Sequence, residues 1–96
     1  MITVYVSIGN SDDKLTQAKW AEFYRAVALA VRHFSITVHG QWVSEPASAW
    51  QNACWCIEID DDGAGYLRGH LGALAGTYDQ DSIAWAEAVT AFISPS

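Results

Sequence analysis

Hydrophobic and polar side chains alternate along the first eight residues, which is typical of a half-buried strand. From Thr16 to about Phe34 apolar residues recur every three or four positions, which predicts a helix with Thr16 as its N-cap. Two further alternating stretches predict a second and a third strand, joined by a long hairpin connection at residues 44–49. The apolar positions of these elements are Ile2, Val4, Val6 and Ile8; Trp20, Phe23, Tyr24, Val27, Val31 and Phe34; Ile36 and Val38; and Trp55, Ile57 and Ile59. Trp42 either extends the stripe of the second strand or, with Trp50, flanks the hairpin connection as a binding anchor or as part of a small cluster that covers its end.

A second helix and a fourth strand complete the pattern. Asp60 to Asp62 supply N-cap chemistry and favourable first-turn charge for a helix. Residues 82–87 predict a short strand containing Ile83 and Trp85, and we expect Trp20, Trp55 and Trp85 to lie in the core. Helical spacing predicts that the second helix buries a stripe of Leu67, Leu71, Leu74 and Tyr78, with glycines about opposite it at Gly65, Gly69, Gly72 and Gly76.

The order strand, helix, strand, strand, helix, strand predicts an α+β fold. Two crossovers joined by a hairpin favour a ferredoxin-like βαββαβ two-layer sandwich. Its four-stranded antiparallel sheet has the order 4-1-3-2, with both helices on one face. A two-layer α/β domain with a differently ordered edge is the alternative. We expect a single domain over residues 1–96, in which residues 91–96 are a loose tail.

Composition excludes several classes of protein. The chain is 51% hydrophobic and 17% charged, which is too apolar for a disordered segment. No apolar run approaches the roughly 20 residues that span a bilayer. The start has no basic region followed by an apolar stretch, so a signal peptide is not predicted. We therefore expect a cytoplasmic protein that does not bind membranes.

Charge and cysteine usage narrow the chemistry further. The net charge is −6, and four of the five bases lie in or just before the first helix, so nucleic-acid binding is not expected. Cys54 and Cys56 are two positions apart on a strand, with Cα atoms roughly 6.5–7 Å apart, which is at or beyond the disulfide limit. We expect both to be reduced thiols. No cofactor and no metal site is predicted, because two thiols without suitably spaced histidines do not make a zinc site.

The predicted topology brings three polar connections to one end of the sheet, and this end is the first candidate site. Amides, hydroxyls and aromatic rings at a rigid sheet edge are typical of binding sites. The same residue types are also ordinary turn and cap residues, so a purely structural role stays open. The candidate binding residues are Asn10, Ser11, Asp12, Trp50, Gln51, Asn52, Gln80, Asp81 and Ser82.

The sheet face away from the helices is the second candidate. By alternation it carries Tyr5, Ser7, Cys54, Cys56, Glu58, His39 and Gln41. An imidazole beside a thiol lowers the thiol pKa, so Cys56 and His39 raise the idea of a nucleophile. Nothing in the sequence supplies an oxyanion hole, and buried cysteines often pack as small apolar groups. An interface with a protein partner or a second copy explains the face with fewer assumptions.

Three segments carry a resemblance. Residues 7–18, 50–56 and 80–85 resemble motifs of small uncharacterised proteins from actinobacteria and their phages. Residues 74–83 also resemble the closing segment of a bacterial domain family of unknown function, although Asp79 stands where that family has glycine. These resemblances imply a small cytoplasmic protein, phage-encoded in one interpretation, and they carry over no functional residue.

Three functions compete on these grounds. A binding or regulatory protein that acts on a host protein is favoured by small size, acidity, five tryptophans and the lack of a catalytic signature. The alternative is a small-ligand domain, nucleotide-like in one form, that uses the polar connections and the first helix N-terminus. Acidic mimicry of DNA requires a denser array of carboxylates. Enzymatic activity is left open and is not favoured, and homodimerisation is a further expectation.

Overall fold

In a computed structural model of the protein, residues 1–10, 12–45 and 48–96 are described. Alternation and helical spacing produce the six elements that the sequence predicts, in the predicted order. Their bounds are β1 (Ile2–Gly9), α1 (Gln17–Phe34), β2 (Thr37–Val43), β3 (Asn52–Ile59), α2 (Asp61–Thr77) and β4 (Ala84–Ala88). The hairpin connection predicted at 44–49 falls between β2 and β3, and its Pro46 and Ala47 lie outside the described residues.

The strands form one antiparallel sheet with the order β2-β3-β1-β4. Read from the β4 edge, this order is 4-1-3-2. β1 and β3 occupy the centre, and their register pairs Ile2 with Ile59 and Gly9 with Asn52. β4 is hydrogen-bonded to the other edge of β1, with Thr3 paired to Ala88 and Ser7 paired to Ala84. The fold is therefore α+β, with a four-stranded antiparallel sheet and two helices.

Both helices pack on the face of the sheet that carries the buried β1 and β3 side chains. The helix starts follow the predicted capping chemistry: Thr16 Oγ1 accepts from the Lys19 amide at 3.2 Å, and Asp60 Oδ1 accepts from the Gly63 amide at 2.7 Å. Fully buried side chains include Phe23 on α1 and Leu67 on α2. Burial of these apolar faces, with each helix end satisfied, is what holds the two layers together.

Tryptophan placement differs in part from expectation. Trp20 and Trp55 are buried in the core as predicted. Trp85 is only half-buried, and the guanidinium carbon of Arg68 lies over its ring, 5.6 Å from the ring centroid.

The fourth strand starts two residues later than predicted. β4 begins at Ala84 and ends at Ala88, because its pairing with β1 begins at Ser7.

The last eight residues, 89–96, lie beyond β4 and are exposed along their whole length. Val89, Phe92 and Ile93 are 100%, 93% and 96% exposed. The Cα radius of gyration is 14.3 Å, against about 12.5 Å for a compact chain of this length. Among the described residues, neither helix is long and apolar enough to span a bilayer.

Candidate functional site

Three distant connections meet at one end of the sheet, which we call the loop end (residues 9–13, 50–52 and 78–82). The backbone N–H of Asn10 donates to the backbone carbonyl of Gln51 at 2.8 Å. The ammonium of Lys14 lies 3.4 Å from an Asp81 carboxylate oxygen. Since β1 ends here and β3 begins here, sequence-distant polar residues become neighbours. Ser11 belongs to this set by sequence and lies outside the described residues.

The buried part of the loop end is a network of side-chain amides. Asn10 is 1% exposed, and its side-chain nitrogen donates to the Leu15 carbonyl and to Gln51 Oε1 at 3.0 and 3.1 Å. The Leu15 amide donates back to Asn10 Oδ1 at 3.0 Å. Gln51 also donates to Gln17 Oε1 at 2.8 Å. These bonds fix the β1–α1 loop against the start of β3, so Asn10 and Gln51 hold the fold together.

The exposed part of the loop end is acidic and shallow. Asp12 and Asp81 both approach Lys14, and the hydrogen bond that the Lys14 ammonium donates to Asp81 is the main reason that the pKa of Lys14 is raised. Gln80 and Ser82 line an open depression of about 350 Å³ beside Gly9 on β1. Within the described residues, no group of three or more His, Cys, Asp or Glu side chains is arranged to hold a metal ion.

Trp50 and Asn52 mark the outer side of the loop end. Trp50 is 68% exposed, and Asn52 donates its side-chain amide to the Trp50 carbonyl at 2.8 Å. The Asn52 side chain thus supports the backbone of the connection. Of the eight candidate residues that the structure describes, Asn10 and Gln51 are buried and Asn52 and Gln80 are half-buried. The exposed ones are Asp12, Trp50, Asp81 and Ser82.

The second candidate surface is the face of the sheet away from the helices, which we call the open face. The register places it without ambiguity, since directly paired residues point to the same side of the sheet. The central pairs are Tyr5 with Cys56 and Ser7 with Cys54. Its members are Thr3, Tyr5, Ser7, Gly9, Thr37, Gly40, Trp42, Asn52, Cys54, Cys56, Glu58, Ala84, Ala86 and Ala88.

An irregularity in β2 changes the composition of this face. The pairing of β2 with β3 shifts between Val38 and Gly40, so the alternation is interrupted there. Gln41 therefore points to the helix side, where its Oε1 accepts from the Trp55 indole nitrogen at 3.0 Å. The prediction that Gln41 lies on the open face is wrong for this reason.

The same shift places Trp42 outside the apolar stripe that it would extend if the alternation of β2 were regular. Trp42 pairs with Cys54 on the open face and is 57% exposed. Tyr5, two strands away, is 43% exposed. Together with the two thiols and the alanines of β4, these rings form an apolar band across the open face from β2 to β4. A glycine inside a predicted strand, here Gly40, is the one sequence signal of such a bulge.

The structure does not pair the Cys56 thiol with the His39 imidazole, the pair that the sequence raises as one idea for a nucleophile. Gly40, not His39, lies opposite Cys56. His39 Nε2 instead lies 3.3 Å from Glu58 Oε1, and Thr3 Oγ1 donates to the same carboxylate at 2.5 Å. The Thr3 hydrogen bond and, more weakly, His39 lower the pKa of Glu58.

Both cysteines are free thiols on the open face, as the strand spacing predicts. Cys56, opposite Tyr5, raises the pKa of that phenol, chiefly through a side-chain hydrogen bond. A phenol with the ordinary pKa of 10.0 is already protonated at neutral pH, so the Tyr5 hydroxyl is available as a hydrogen-bond donor. The face offers apolar area, the Tyr5 phenol, the Glu58 carboxylate and the hydroxyls of Thr3, Ser7 and Thr37 for recognition.

A scan against protein-family models and a comparison with curated protein sequences find no match to this chain.

Proposed function

We propose that this chain is a protein-binding domain of ferredoxin-like architecture that engages another protein through the open face of its sheet. The observation that carries the proposal is the bulge in β2, which directs Trp42 to the same face as Tyr5 and the two thiols. Tryptophan and tyrosine are the residue types that most often anchor protein interfaces. In the phage interpretation of the sequence, the partner is a host protein.

The size of the open face suits this role. Four strands about 4.8 Å apart, each five to eight residues long, cover roughly 400 Å² in projection. Only part of this area is apolar, and an exposed apolar patch bordered by polar side chains is a common feature of interaction sites. The helices cover the opposite face, so the sheet has only one side available for a partner.

Charge indicates what the partner surface looks like. The four strands contain no lysine or arginine, whereas Glu58 lies on the open face. The chain as a whole carries a net charge of −6. We therefore propose a partner whose apolar patch is bordered by basic side chains, because opposite charge raises the association rate and excludes acidic competitors.

The small-ligand alternative has less support. It relies on amide groups at the loop end, and those of Asn10 and Gln51 are occupied by bonds within the chain. What remains exposed there is acidic, which disfavours a phosphate. A thiol-based activity likewise has less support, since His39 lies beside Glu58.

The test uses two matched tryptophans. Trp42 and Trp50 are 57% and 68% exposed, and only Trp42 lies on the open face. The purified chain is used to capture proteins from an actinobacterial lysate, the captured protein is identified and purified, and its affinity is measured for wild type, Trp42→Ala and Trp50→Ala. We expect Trp42→Ala to weaken binding at least tenfold and Trp50→Ala to change it less than threefold.

Salt dependence and a second position complete the experiment. Binding is expected to weaken as ionic strength rises, since a basic rim on the partner is part of the proposal. Ala86→Asp adds a charge to the open face directly beside Tyr5 and should abolish binding. If Trp50→Ala reduces the affinity and the two open-face variants do not, the loop end is the binding surface and the proposal is wrong.

A further inference from the structure

A groove runs along the side of the molecule between α2 and residues 80–85, on the edge where β4 lies. It has a volume of about 430 Å³ and an apolar lining that includes Leu71, Ala75, Ile83 and Trp85. Arg68 also lines it and lies over the Trp85 ring. The groove is distinct from the open face, because it lies on the helix side of the sheet.

Two glycines of α2 keep this groove wide. Gly72 and Gly76 both line it, and a Cβ atom built on either would meet no described atom within 4 Å. Each internal glycine weakens a helix by about 1 kcal/mol relative to alanine, and this chain accepts that cost without any close approach of its own backbone to these positions. The space beside α2 is open for another segment.

The segment after β4, residues 89–96, exposes three large apolar side chains. Val89, Phe92 and Ile93, in the eight residues after β4, are almost completely exposed. This segment, which we call the arm, contains no charged side chain. Three large apolar side chains on an uncharged extended segment are a common feature of segments that pack against a groove in a neighbouring subunit.

We infer that the arm of one copy seats in the groove of a second copy, in a reciprocal exchange that closes a twofold dimer. The direction of β4 favours the second copy over the arm's own groove. Residues 80–85 border the groove, and β4 runs from there to Ala88, so the arm leaves the strand heading away from it. A reciprocal exchange uses each groove and each arm once and leaves neither exposed.

The area involved is sufficient for a dimer. Burying Val89, Phe92 and Ile93 removes roughly 300 Å² of apolar surface per arm, and the groove loses a similar area. Two arms in two grooves therefore bury roughly 1,200 Å² in total, which is at the lower limit of stable protein interfaces. We expect a dimer that forms at micromolar concentration and dissociates on dilution.

The test is the molecular mass in solution, measured by analytical ultracentrifugation over a range of concentrations. Wild type should approach twice the 10.5 kDa chain mass. Phe92→Asp with Ile93→Asp should remain monomeric, and Gly76→Leu, which fills the groove, should do the same. Gly65→Leu is the control: Gly65 is equally open on α2 and lies outside the groove, so it should still dimerise.

Mixing the two defective variants gives the sharper result. Neither the arm variant nor the groove variant should dimerise alone, whereas their mixture retains one intact arm and one intact groove and should form a weaker heterodimer. A monomeric wild type overturns the inference. If, in addition, truncation after Ala88 changes the environment of Trp85, the arm lies in the groove of its own chain. A dimer that survives the arm variant and is lost in Trp42→Ala also overturns it, and assigns the contact to the open face.

Discussion

The Trp55 indole nitrogen donates a hydrogen bond to Gln41 Oε1 at 3.0 Å, across the boundary between the buried centre of the sheet and its β2 edge. Trp55 is completely buried, and Gln41 reaches it only because the β2 register shifts between Val38 and Gly40. The bulge in β2 thus gives the Trp55 indole its hydrogen-bond acceptor and turns the Trp42 side chain to the open face. The core and the proposed binding surface depend on the same bulge.

Gln41→Leu should therefore destabilise the protein. The substitution leaves the buried Trp55 indole N–H without its partner, which costs about 1–3 kcal/mol in the free energy of unfolding. The measurement is urea denaturation followed by circular dichroism. Arg32→Ala is the control, since Arg32 contacts the same oxygen from an exposed position at 3.4 Å, and its loss should cost less than about 0.5 kcal/mol. Equal effects of the two variants would contradict this assignment.

The two asparagines of the loop end should behave differently. Asn10→Ala removes three hydrogen bonds in a buried position and should lower the free energy of unfolding by about 2–3 kcal/mol. Asn52→Ala removes an exposed bond to the Trp50 carbonyl and should cost less than about 1 kcal/mol. Thermal and urea unfolding of both variants give the comparison. A stable Asn10→Ala protein would mean that the amide network is not what joins these loops.

Glu58 provides a prediction about pH. Its folded-state pKa lies below the ordinary value of 4.5, mainly because Thr3 donates to the carboxylate. A lowered pKa stabilises the fold above the unfolded-state pKa, and this contribution is lost as pH falls through the folded-state value. Thr3→Val should raise the pKa of Glu58, as measured by NMR titration of its side chain. Thr37→Val, on the other neighbouring strand, should leave it unchanged.

Substituting the glycines of α2 by alanine should have opposite effects on stability, depending on the space around each glycine. A Cβ at Gly63 would lie 3.1 Å from the Phe34 carbonyl oxygen and 3.0 Å from Asp60 Oδ1, so Gly63→Ala should destabilise. Gly65→Ala and Gly69→Ala meet open space and should each stabilise by about 0.5–1 kcal/mol, because alanine reduces the entropy of the unfolded chain. Melting temperatures compare the three variants, and destabilisation by Gly69→Ala would show that its surroundings are not open.

The sequence predicts the elements and their order well, because strong periodicity fixes which residues must be buried. The stripe of α1 through Phe23 and Val27 and the alternation of β1 are examples. It does not predict the faces of β2, since a bulge depends on how two strands fit together in three dimensions. The role of Asn10 is also invisible in the sequence, because its partner Gln51 is 41 residues away and either amide is equally compatible with an exposed turn.

The strand order also has a consequence for how the molecule is made. β1 is synthesised first, yet both of its neighbours in the sheet, β3 and β4, follow it by more than 40 residues. While the ribosome is still translating β2, the nascent chain contains only β1 and α1. Neither β3 nor β4, the two strands that pair with β1, has yet been made. We expect the sheet to close only after Ile59 has left the exit tunnel, so that folding during translation is late and nearly all-or-none.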